Sequence, residues 1–67
     1  MDWSELFTVE VKGERDFILG HLRHASAFAG GTENYSWTWI PDGALFGFKT
    51  EAARTAFRTW TGLRAAA

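Results

Sequence analysis

Tyr35-Ser36-Trp37-Thr38-Trp39-Ile40-Pro41-Asp42-Gly43-Ala44-Leu45-Phe46-Gly47-Phe48-Lys49 is the stretch on which the fold turns. Two ring-rich runs flank Pro41-Asp42-Gly43, a turn signal with a mechanism. Proline presets φ at the first turn position, aspartate suits the second, and glycine accepts a left-handed conformation. The stretch is therefore predicted to be a hairpin, with strand 2 from about Asn34 to Ile40 and strand 3 from Ala44 to Lys49. Its register decides which way the rings point. Pairing Ile40 with Leu45 puts Tyr35, Trp37, Trp39, Phe46 and Phe48 on one face. A slip to Ile40 with Ala44 moves Tyr35, Trp37 and Trp39 across, leaving an aromatic platform in water. Each buried ring is worth roughly 2–3 kcal/mol, against a net stability of a few kcal/mol for so small a domain. The first arrangement, with the rings in the core, is the one expected.

Upstream, Leu6 to Lys12 alternates: Phe7, Val9 and Val11 point one way and Thr8, Glu10 and Lys12 the other, the pattern of a half-buried strand ended by Gly13. From Glu14 to Ala29 the period changes. Ile18, Leu22, Ala25 and Ala29, flanked by Leu19 and Phe28, form one face of a helix whose first turn carries Glu14 and Asp16. Gly30-Gly31 stops it, one glycine taking the left-handed position after the last turn. Downstream, Thr50 is a good N-cap for a helix from Glu51 to about Leu63, with a buried stripe of Ala53, Ala56, Phe57, Trp60 and Leu63. The closing Ala65-Ala66-Ala67 is either native or an expression-vector remnant and is set outside the domain, which spans 1–64.

The order is βαββα, an α+β chain. A right-handed crossover sets strand 2 parallel to strand 1, and strand 3 fits antiparallel between them. The expected architecture is two layers, a three-stranded sheet in order 2-3-1 with both helices on one face. It resembles a ferredoxin-like fold lacking its fourth strand. The opposite sheet face is expected to be open to solvent or to a partner.

Composition narrows the function. Sixty-seven residues support one core, and 46% apolar content is that of a globular chain. There is no cysteine, hence no disulfide framework or thiolate metal site, and the aromatic share of 16% fills the core instead. No apolar run approaches the roughly 18 residues that cross a bilayer, and Met1-Asp2-Trp3-Ser4-Glu5 does not resemble a signal peptide. A soluble, cytoplasmic protein without a membrane partner is expected.

His21 and His24 have the H-x-x-H spacing of a helical metal site, but a closed site needs two further ligands that the sequence does not supply. They read as side chains on a solvated helix flank, and no metal or other cofactor is expected. No G-x-S-x-G, cysteine or phosphate-cradling loop occurs, and Gly30-Gly31 precedes a strand. Catalysis is not expected.

Binding is. Strand 1 carries Glu10 and Lys12, which discourage edge pairing, whereas strand 2 has neither charge nor proline within it. An edge so unprotected invites a strand from a partner or from a second copy, so a homodimer through strand 2 is one expectation. Another comes from Phe46-Gly47-Phe48, which resembles the centre of the RNP1 element of RNA-recognition motifs and implies single-stranded nucleic-acid binding. Charge weighs against that. The net charge is −1, and residues 1–42 hold three basic and seven acidic side chains, whereas 43–67 hold four and one.

Tyr35-Ser36-Trp37-Thr38-Trp39, Phe46-Gly47-Phe48 and the helix with Ala53, Phe57 and Trp60 together resemble the small accessory proteins that bacteriophages and other mobile elements encode. That resemblance implies a stand-alone binding protein that inhibits a host defence complex, as anti-CRISPR proteins do. The partner expected is thus a host protein or complex. The predicted contact residues are Ser36, Thr38 and Lys49 on the open face and strand 2 edge, with Arg54 and Arg58 second.

Overall fold

The structure is a computed structural model that describes the backbone of residues 2–66 and the side chains of residues 2–62. Strand β1 is Phe7–Lys12, helix α1 Arg15–Ala29, strand β2 Tyr35–Ile40, strand β3 Gly43–Phe48 and helix α2 Glu51–Ala66. Short 3-10 turns at Trp3–Glu5 and Thr32–Asn34 lead into β1 and β2. The sheet runs β1-β3-β2 with β3 antiparallel to both neighbours. The predicted strand order is therefore observed. Helix α2 continues past Leu63 through Ala66, so two of the three closing alanines extend it. The predicted burial of Leu63 and the position of Ala67 lie outside the described residues.

The caps behave as their chemistry requires. Gly30 ends α1 at φ 82°, ψ 25°, and the N–H groups of Gly30 and Gly31 both donate to the Ser26 carbonyl at 3.0 Å. The Thr50 hydroxyl accepts from the Ala53 N–H at 3.2 Å, which satisfies a donor of the first turn of α2.

The hairpin is tighter than expected. Ile40 pairs with Gly43, Trp39 with Ala44, Trp37 with Phe46 and Tyr35 with Phe48, so only Pro41 and Asp42 lie in the loop. Neither predicted pairing occurs. The face assignment survives all the same, because Ile40–Gly43 and Ile40–Leu45 differ by two residues and side chains alternate with period two. Gly43 is not left-handed either: only Gly13, Gly30 and Gly31 have positive φ among the described residues. Its requirement is steric. A Cβ at Gly43 would overlap the Val11 carbonyl oxygen and come 2.8 Å from Lys12 Cα, so the glycine lets β1 and β3 approach at the hairpin end.

Three rows of side chains cross the helix side of the sheet: Phe7–Phe48–Tyr35, Val9–Phe46–Trp37 and Val11–Ala44–Trp39. Helix α1 lies against β2 and β3, and α2 lies against β1 and β3. Phe57 of α2 is fully buried, with ring centroids 4.9 Å from Phe46 and 5.1 Å from Phe48. Ile18, Ala25, Ala44, Phe46 and Phe48 are likewise shielded from solvent. Cover thins at opposite corners of this face, where Phe7 is 39% and Trp39 48% exposed. The expectation that every ring of the hairpin lies beneath the helices thus holds for Phe46 and Phe48, holds in part for Tyr35 and Trp37, and fails for Trp39.

Two helix faces are corrected. His21, expected on a solvated flank, is fully buried. Its ring lies 4.5 Å from Phe17 and 4.9 Å from Trp60, and its Nδ1 stands 2.7 Å from the Phe17 carbonyl oxygen, to which it donates. His24 stacks on Trp60 at 4.1 Å and 27°. The H-x-x-H spacing thus places both imidazoles on one α2 indole, because α2 packs beside α1 and draws the buried arc of α1 round toward itself. Ala56, expected in the stripe of α2, is exposed, while Arg54 is half-buried.

The outer sheet face is not fully open. The Asp2 carboxylate accepts from the Ser4 N–H at 3.0 Å, a bond that also lowers its pKa, and fixes the first turn. Beyond that turn, Trp3 and Leu6 lie over Gly47, where a Cβ would come 2.8 Å from both side chains.

Two glycine substitutions separate these roles. Gly43→Ala meets backbone and should cost about 3 kcal/mol or prevent folding, whereas Gly47→Ala meets movable side chains and should cost about 1 kcal/mol. Urea melts monitored by far-UV circular dichroism give the order, and equal costs would refute this account of the hairpin end. Phe57→Ala should remove about 3–5 kcal/mol, enough to abolish the cooperative melt of a domain this small.

Candidate protein interface at the edge of strand β2

Main-chain hydrogen bonds show which groups of the edge strands are free. The Lys49 N–H donates to the Asn34 carbonyl at 3.3 Å, so Asn34 and Lys49 form a hydrogen-bonded pair. Such pairs alternate along an antiparallel ladder. Ser36, Thr38 and Ile40 therefore spend their N–H and C=O groups on β3, and Tyr35, Trp37 and Trp39 turn theirs outward. On the other side, the Gly13 N–H donates to the Asp42 carbonyl at 3.0 Å. By the same alternation Phe7, Val9 and Val11 bond β3, and the outward groups of β1 belong to Thr8, Glu10 and Lys12.

The two edges differ in kind. Along β1 the outward residues include two charged side chains, and Lys12 pairs with Asp42 at 3.5 Å at the hairpin end. Along β2 the outward residues are all aromatic, and their rings turn toward α1. Trp37 and Trp39 meet edge to face at 5.0 Å and 78°. With Leu19, itself 38% exposed, and Arg15 they line an open groove of about 560 Å³ between the edge and α1. The Tyr35 hydroxyl reaches the Leu22 carbonyl at 3.5 Å, and Arg15, earlier on α1, lines the groove with Trp37 and Trp39, later on β2, so α1 runs antiparallel to β2 along the groove.

The five predicted contact residues do not form one surface. Ser36 is half-buried and Thr38 exposed, both on the outer face of β2, beside the edge. Lys49 lies at the end of the sheet in a small pocket with Ala29, Asn34 and Ala53. Arg58 lines a groove with Glu10 and Lys12 on the β1 side, away from β2. Arg54 is half-buried on the same helix. Sequence reasoning missed Arg15 and Leu19 as parts of the site. Their spacing of four on α1 was the available signal, together with Leu19 falling outside the buried stripe.

The rings of the RNP1-like Phe46-Gly47-Phe48 turn into the core, so they offer no stacking surface on the outer face. No helix among the described residues is long and apolar enough to cross a membrane, and no group of three or more His, Cys, Asp or Glu side chains gathers to hold a metal ion. No family model matches the chain, and no curated protein or solved structure matches it significantly.

Proposed function

We propose that this chain works by binding another protein, taking up an extended strand of its partner along the edge of β2, without catalysis. The single observation that carries this reading is the coincidence of outward main-chain groups with uncharged aromatic residues at Tyr35, Trp37 and Trp39. Native sheets blunt a free edge with charge, proline or a bulge. Here β1 carries that protection and β2 does not.

The energetics favour a strand as the ligand. Three outward residues supply up to six main-chain hydrogen bonds, each worth about 0.5–1.5 kcal/mol net. Trp39 adds its uncovered half, on the order of 100 Å² of ring, or roughly 2.5 kcal/mol on burial. A protein that caps a partner's strand in this way acts by occlusion, the mode that resemblance to anti-CRISPR proteins implies for a host complex. A single-stranded nucleic acid finds less here, since it has no use for the edge amides and the rings of β3 are hidden.

Total synthesis of the chain with N-methyl-Trp at position 37 tests the reading. The methyl group replaces an outward N–H, so the fold and its melting temperature should be retained. Extended peptides selected from a displayed library against the unmodified chain should protect the Trp37 and Trp39 amides from hydrogen exchange. They should also bind the N-methyl chain at least tenfold more weakly. Selected peptides that protect amides elsewhere, or that ignore the methyl group, would overturn it.

A further inference from the structure

We infer that the groove beside β2 selects its strand by charge and size. The fitting strand runs antiparallel to β2, with a carboxylate opposite Trp39 and a large apolar side chain opposite Trp37. This inference rests on the strand-capture reading above and specifies what that strand must carry.

The direction follows from the ladder, in which β3 is already antiparallel to β2 and antiparallel pairing is the more stable per residue. An incoming strand matched to the outward groups of Tyr35, Trp37 and Trp39 places every second side chain on the helix side, above those rings. The side chain opposite Trp39 comes beside Arg15, and the one opposite Trp37 comes beside Leu19. Arg15 is exposed and is the one charged residue among the described residues that line the groove. Side chains of alternate residues fall on the outer face beside Ser36 and Thr38 and need only be polar. In the N-to-C direction the pattern is acidic, polar, apolar, polar, apolar.

Two cyclic β-hairpins test the inference, one strand reading Glu-Thr-Leu-Thr-Val and the other Lys-Thr-Leu-Thr-Val, titrated against the full chain by tryptophan fluorescence. The glutamate hairpin should bind about fivefold more tightly at low salt, as a partly exposed ion pair allows. Arg15→Glu should reverse the order, and 0.5 M salt should erase it. Equal affinity for both hairpins in the native chain and in Arg15→Glu would overturn the charge selection while leaving strand capture intact. No binding by either hairpin would overturn strand capture itself. A doubled mass in light scattering that persists at low concentration and excludes the hairpins would assign the groove to a second copy. Displacement of the glutamate hairpin by oligouridylate would assign it to nucleic acid, and either result refutes the proposal.

Discussion

The ring of Phe57 is the contact on which the remainder of the structure depends. It joins α2 to the central strand through Phe46 and Phe48, and it lies 6.1 Å from His21 and 6.2 Å from Phe28 of α1. A chain of this length has no disulfide and one thin core, so apolar area must be concentrated in few side chains. Aromatic rings do that best, since each covers a large area with few rotatable bonds. The consequence is a two-layer molecule measuring 28 × 22 × 16 Å across its Cα atoms, too thin to cover both sides of its sheet.

Thinness explains where the surface becomes unusual. Two helices span the middle of the sheet and leave diagonally opposite corners bare, one at Phe7 and one at Trp39. The corner at Phe7 adjoins an edge whose outward residues include Glu10 and Lys12, and charge there discourages a strand from adding. The corner at Trp39 adjoins an edge with none. An exposed indole by itself is ordinary on a protein surface. What distinguishes Trp39 is that its main-chain donor and acceptor, its ring and the adjoining Leu19 all face one open channel.

The layout was legible in the sequence because period-two and period-3.6 patterns alternate cleanly and each helix has one recognisable cap, Gly30 after α1 and Thr50 before α2. The sharing of one face by Tyr35, Trp37, Phe46 and Phe48 was legible for a stronger reason: any even shift of the hairpin preserves it. The loop length itself was not, because Gly43 advertises a left-handed turn and is used to clear the Val11 carbonyl of the far strand. That contact joins residues distant in sequence, which no local signal encodes. His21 was misplaced for a related reason. A helical wheel drawn for α1 alone centres the buried arc on the sheet, and the arc turns once α2 is packed alongside. The site residues scattered because Ser36, Thr38 and Lys49 were chosen by the polar sheet face and the arginines by charge, whereas free edge amides depend on ladder alternation.

That alternation also links folding to binding. In an edge strand of an antiparallel sheet, residues whose main chain faces out are fixed as a set by the register, and their side chains all share one face. In β2 that face is the helix side, so the residues that fill the core are also the ones that present donors and acceptors to a partner. A bound strand then places its own side chains in the same layer as Trp37 and Trp39, extending the core and not merely the surface. In β1 the arrangement is reversed: the outward set is Thr8, Glu10 and Lys12, and a strand added there would lay its side chains among charges. Two edges of one small sheet thus differ in what they would bury, and only β2 couples edge hydrogen bonding to apolar burial.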